Sequence, residues 1–299
     1  MLTVIDTFAQ VERLCEQGSF AQAAWRAYAQ ALPAGVPEAC IKEFEIVLAM
    51  PSIAFDTHYA PVYKRLWDNP VLRAQAHQNF VRVVDGLQQQ VVAAFGRSPQ
   101  VDIVWYLGLC NGAGWVTDFH GRTHMLLGIE KIIELDWGNL PRLMALIHHE
   151  MGHVYHAQFG ALASTPPDGP AQLVWQLFTE GVAMCFEHRL ADSFDSYHQY
   201  GQGWKSWCEV NLARIAADFD ADLPTITRAT QRWFGDWVLY RGHSDVGYYL
   251  GSKFVQHILR HMPFDEAIQL TPQDVMGWYD RYLAQVTQDT AEPFVTDSD

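Results

Sequence analysis

The pentad His149-Glu150-Met151-Gly152-His153 lies inside a mostly apolar stretch from Leu140 to Phe159, and no other segment constrains this chain so strongly. Leu143, Leu146, Ile147, Glu150 and Val154 recur at spacings of three and four, which predicts a largely buried helix. Asn139 suits the N-cap and Pro141 the first turn, where a missing N–H costs little. On such a helix, positions i and i+4 stand one above the other, so the imidazoles of His149 and His153 share a face. Two imidazoles so placed can reach one Zn2+, and Glu150 sits where a general base for a metal-bound water is wanted. With 13 histidines in 299 residues, chance supplies such a match with an expectation of about 2%. A chance pair would suit a solvated surface helix better than this apolar one.

A catalytic zinc usually has three protein ligands and a water. The downstream run from Trp175 to His188 is again apolar at helical spacing, and it carries Glu180 among Trp175, Leu177, Phe178, Val182, Ala183 and Met184. A lone carboxylate in such surroundings is costly unless it is paired or binds a metal. The expected ligand set is therefore His149, His153 and Glu180. Glu187, at i+7 from Glu180, is the next choice, or a group that holds a histidine ring through its other nitrogen.

The metzincin pattern H-E-x-x-H-x-x-G-x-x-H fails here, because His156 stands at its glycine position and Phe159 at its third histidine. His156 shares roughly the face of His149 but lies one turn beyond His153. His148 points about 100° away from His149, as neighbours on a helix do.

At these residues the chain resembles the gluzincin metallopeptidases, in which an H-E-x-x-H helix is followed by a second helix that supplies a glutamate ligand. The matching residues are His149, Glu150, His153 and Glu180, the last within Thr179-Glu180-Gly181-Val182-Ala183. Gly247-Tyr248-Tyr249-Leu250-Gly251 is similar to the Gly-Tyr helix start of predicted bacterial zinc-dependent proteases of this broad type. The resemblance spans about Val101 to Leu259. Thermolysin-like enzymes carry an aspartate one turn after the glutamate ligand; Met184 stands there instead, which sets the chain apart from that subgroup.

Three strands are expected before the zinc helix: Val101 to Leu109, Trp115 to Phe119 and His124 to Ile129. Turns at Asn111-Gly112-Ala113-Gly114 and His120-Gly121 separate them. The resemblance implies that an edge strand of this sheet pairs with an extended peptide, and His124 to Ile129 is the expected edge. It also implies a peptide or protein substrate. Glu150 then takes a proton from the water and returns one to the leaving amine. The oxyanion needs a further donor, for which Tyr248 is the first candidate and His243 the second.

The fold class expected is α+β and mainly helical, with a small antiparallel or mixed sheet preceding a zinc-binding helix pair. A helical region covers residues 1–100, its start at Met1 to Phe8 read as the beginning of a helix. A zincin-like domain follows over 101–299: sheet 101–130, metal helices 139–160 and 171–190, helical C-terminal region 204–289, and a frayed end from Thr290. Pro166-Pro167-Asp168-Gly169-Pro170 reads as a rigid loop between the metal helices. The net charge of −14 argues against nucleic acid and anionic membranes, and no apolar run approaches a membrane span. Five cysteines (Cys15, Cys40, Cys110, Cys185, Cys208) form no framework, which suits a reducing cytoplasm. Two other readings stand beside the peptidase: a zinc hydrolase of a non-peptide amide, and a metal-stabilised binding protein without catalysis. The intact Glu150 favours an enzyme.

Overall fold

Val101–Tyr106, rich in β-branched and aromatic residues, is a strand with all six residues buried, as expected where both faces of a sheet are covered. It belongs to a computed structural model that describes residues 1–49, 55–109, 112–166, 169–193, 197, 201, 203–227 and 229–288. Cys110, Asn111, Pro167, Asp168 and the expected frayed end from Thr290 lie outside the described residues. Among those described, the order is β1 (Leu2–Asp6), α1 (Phe8–Cys15), α2 (Gln22–Ala29), α3 (Val36–Ala49), α4 (Phe55–His58), α5 (Ala60–Asp68), α6 (Pro70–Val84) and α7 (Leu87–Phe95). Then come β2 (Val101–Tyr106), β3 (Gly114–Phe119), β4 (Arg122–Gly128), α8 (Ile129–Glu134), α9 (Leu140–Phe159) and α10 (Pro170–Leu190). The chain continues with α11 (Trp204–Val210), α12 (Leu212–Asp222), α13 (Val246–Leu259), α14 (Phe264–Ala267) and α15 (Pro272–Gln288). The class is α+β and mainly helical, as the sequence patterns imply. No helix among the described residues is long and apolar enough to cross a membrane.

The chain divides into two compact units, Met1–Val154 and Tyr155–Asp299, and the division falls within α9. The first unit holds the sheet. Its strand order is β1-β2-β4-β3, with β1 parallel to β2, β2 parallel to β4, and β3 antiparallel to β4. Two expectations are corrected here. Leu2–Asp6 is a strand, not the start of a helix: its residues pair with Val101 to Trp105 across the whole run of α1 to α7. And β4, which begins two residues before His124, lies between β2 and β3, so it is not an edge. The parallel pairing of β4 with β2 uses the side of β4 that an edge would leave open. The edges are β1 and β3.

The β3–β4 connection is a two-residue turn in which His120 (φ 52°) and Gly121 (φ 77°) are both left-handed. That is the type I′ geometry whose twist matches a hairpin. Beyond β2 the buried backbone leaves the sheet and is satisfied by side chains. Trp25 Nε1 donates to the Leu107 carbonyl (3.1 Å), Tyr63 Oη donates to the Gly108 carbonyl (2.6 Å), and Gly108 N–H donates to Glu130 (3.1 Å). Buried peptide groups need such partners. On β2, Trp105 stacks on Phe80 of α6 (4.7 Å between centroids). Gly86 (φ 79°) turns the chain between α6 and α7.

In the second unit, α10 and α13 pack through glycines. A Cβ on Gly181 would stand 2.2 Å from the Gly251 carbonyl oxygen, so the helices meet backbone to backbone. Helix is not continuous from Trp204 onward, since the described residues between α12 and α13 form no helix. Gln231 Oε1 accepts from the Trp233 and Phe234 N–H groups (2.5 and 2.8 Å), and Asp222 accepts from Arg232 and from Trp233 Nε1. Tyr240 and His243 form a small antiparallel bridge in the same stretch.

Candidate metal centre

Helix α9 begins as its sequence requires. Asn139 Oδ1 accepts from the Arg142 N–H (3.2 Å), and the Asn139 carbonyl accepts from the Leu143 N–H (3.0 Å). From this start the 3.6-residue repeat buries Leu143, Leu146, Ile147, Met151 and Val154, and with them His149 (3% exposed) and Glu150 (6% exposed). The His149 and His153 rings are 4.9 Å apart between centroids and nearly perpendicular.

One ligand atom each of His149, His153 and Glu180 lies within 4.8 Å of the other two. Among the described residues no other group of three or more His, Cys, Asp or Glu comes close enough to share an ion. His149 is buried, and His153 and Glu180 are half-buried. Two imidazoles and a carboxylate are the donor set of many catalytic zinc sites, in which the fourth position stays open to water. The residues therefore fit the metal on the chemistry of their donors and on their separation.

Glu150 faces the sheet within the first unit. An ideal Cβ on Gly114, the first residue of β3, would stand 2.7 Å from the Glu150 Cγ and Oε1. Sequence reasoning missed this contact. Its only sequence signal is a glycine opening a run of strand formers.

Glu187 is fully buried and does not join the group of three. His156 is fully buried beside the rings of Trp175 (6.2 Å) and Phe178 (5.7 Å). His148 is buried and held as a neutral ring, its pKa pushed down to about 4 by desolvation. Tyr248 stands in the first turn of α13, half-buried and edge-on to Phe234 (5.5 Å). Its neighbour Gly247 has no room for a side chain, since a Cβ would stand 2.5 Å from the Phe234 ring. His243 stacks on Trp207 at 4.0 Å.

A second missed residue is Asp245, which precedes α13 in a left-handed conformation (φ 59°). Its carboxylate is buried and accepts from the Gly235 N–H (2.9 Å). Burial pushes its pKa up to about 6, the Gly235 N–H opposes the shift, and the charges of Asp236 and Glu180 add to it.

No known family model matches this sequence, no curated protein is significantly similar to it, and no solved structure significantly matches its fold. The functional reading therefore rests on the residues and their geometry.

Proposed function

We propose that this chain is a zinc-dependent peptide hydrolase of gluzincin type. The observation that supports it most is the convergence of His149, His153 and Glu180 within 4.8 Å, with Glu150 next to the first ligand on the same helix. Zinc held by these three residues would lower the pKa of a coordinated water to around 7 and polarise a carbonyl.

The chain's own groups do the rest. Glu150, buried beside His149 on the same helix, takes the proton from the attacking water and hands one to the leaving amine. The Glu150 carboxylate lies against Gly114, where the edge strand β3 begins. An extended peptide added to β3 by backbone hydrogen bonds would thus have a carbonyl brought to the base. Tyr248 is the first choice to donate to the developing oxyanion, and His243 the second. Both lie in the unit that carries Glu180.

The acidic charge of −14 disfavours nucleic-acid and anionic-membrane partners. Four described cysteines, Cys15, Cys40, Cys185 and Cys208, are buried and in no disulfide, which supports a reducing cytoplasm.

The test is digestion of a peptide library by the zinc-loaded protein, with chelator and with Glu150→Gln. Chelator-sensitive cleavage is expected, and Glu150→Gln should keep its zinc while losing on the order of 10²–10⁴ in rate. A zinc-loaded Glu150→Gln protein that cleaves at the unaltered rate contradicts the role of Glu150. Zinc binding with no turnover of any peptide contradicts the peptidase reading.

A further inference from the structure

We propose that Gly114 is a positioning residue: its missing side chain leaves the room in which the Glu150 carboxylate stands, and so sets where the proton-transfer group of α9 meets the edge strand β3. This rests on the reading of Glu150 as the base.

The contact is steric and specific. A Cβ at position 114 would lie 2.7 Å from Cγ, 2.7 Å from Oε1 and 2.8 Å from Cδ of Glu150. Real carbon contacts at a closed interface run near 3.5–4.0 Å. Something must move if any side chain is added.

Backbone geometry does not explain the glycine. Gly114 is not among the glycines with positive φ, unlike Gly121 in the hairpin turn. An L-residue could adopt its conformation. A glycine in a strand costs entropy and packs nothing, so it marks a place where something else comes close. Here that neighbour is the carboxylate.

The strand is held on its β4 side. Gly114 pairs with Leu127 of β4, which is fully buried. The preceding residue is anchored too: the Ala113 carbonyl accepts from the Gly128 N–H (3.0 Å), and Ala113 is itself buried. Helix α9 is held by its own core residues Leu146, Ile147 and Met151. The three atoms nearest a Cβ at 114 all belong to the Glu150 side chain, whose rotatable bonds let it shift without moving the helix backbone. A methyl group at 114 therefore displaces the carboxylate and leaves the helix, His149 and His153 where they are.

The test is Gly114→Ala in the full, zinc-loaded chain, read by zinc content, by kcat and KM separately, and by a crystal structure. Zinc content should stay at the unaltered level. The kcat should fall on the order of 100-fold, as for a group misplaced by about 1 Å, with KM little changed. The carboxylate should be displaced in the crystal. In a Glu150→Asp background, whose shorter side chain vacates the space, the same alanine should cost several-fold less in kcat. If Gly114→Ala fails to fold, a Glu150→Ala background should restore folding, and misfolding that persists there overturns the proposal. An unmoved carboxylate, or an unaltered kcat in an otherwise active enzyme, overturns it as well. Absence of zinc-dependent cleavage by the unaltered protein is a different result: it overturns the peptidase reading, and the catalytic role of Gly114 with it.

Discussion

Gly181 meets Gly251 so closely that a methyl group on the first would stand 2.2 Å from the carbonyl oxygen of the second. Gly181 directly follows Glu180, so the close approach of α10 and α13 fixes the turn of helix that carries the proposed third ligand. Helices that touch backbone to backbone have no side chain to rearrange, and the contact resists change.

Gly181→Ala should therefore be costly despite the helix-favouring nature of alanine. Overpacking is expected to cost about 1–3 kcal/mol, and zinc affinity should fall with it as Glu180 is shifted. Calorimetry of metal-free protein and chelator competition check the two effects. An alanine tolerated at unchanged melting temperature contradicts the packing account.

Gly277 is the opposite case. It lies exposed in α15, and a Cβ there meets nothing within 4 Å. Gly277→Ala should stabilise the protein by about 0.5–1 kcal/mol through the unfolded chain's lost freedom. Denaturant unfolding reads this directly, and zinc binding should not change.

Asp245 provides a pH prediction. Its folded pKa is raised to about 6 from the ordinary aspartate value of 3.8, first by burial. Between these values the folded state holds a proton that the unfolded state has released, so stability falls as pH rises through the window. Above pH 6 the charged, buried carboxylate costs on the order of 1–3 kcal/mol. Asp245→Asn keeps an acceptor for the Gly235 N–H and tolerates the left-handed backbone. In metal-free protein it should raise the melting temperature at pH 8, and the gain should shrink to nothing near pH 4. A gain that does not vary between these pH values contradicts the assignment.

Much of this molecule can be read from its residues because its periodic elements are local. Helix α9 follows from the apolar spacing between Leu140 and Phe159 and from the Asn139 cap. The cluster of His149, His153 and Glu180 follows from the i, i+4 histidines and from a carboxylate among apolar neighbours. Pairing across long stretches of chain is harder to read. Leu2–Asp6 joins Val101–Tyr106 only after seven intervening helices, and nothing in five residues announces a partner that far away. The edge went to the wrong strand for the same reason. Sequence proximity to α9 favours His124, whereas the parallel pairing of β2 with β4 leaves β3 outside. The contact of Gly114 with Glu150 and the burial of Asp245 beside the loop at Gly235 are tertiary facts, and single residues give no period from which to infer them.

Whether His149, His153 and Glu180 hold one zinc ion is read by X-ray absorption spectroscopy of the zinc-loaded protein, with metal analysis of the unaltered chain and of Glu180→Ala. One zinc per chain is expected, with two nitrogen ligands at about 2.0–2.1 Å and carboxylate oxygen at about 2.0–2.2 Å, the carboxylate contribution being lost and affinity lowered in Glu180→Ala. A chain that binds no zinc, a sulfur-coordinated ion, or a spectrum unchanged by Glu180→Ala would contradict it.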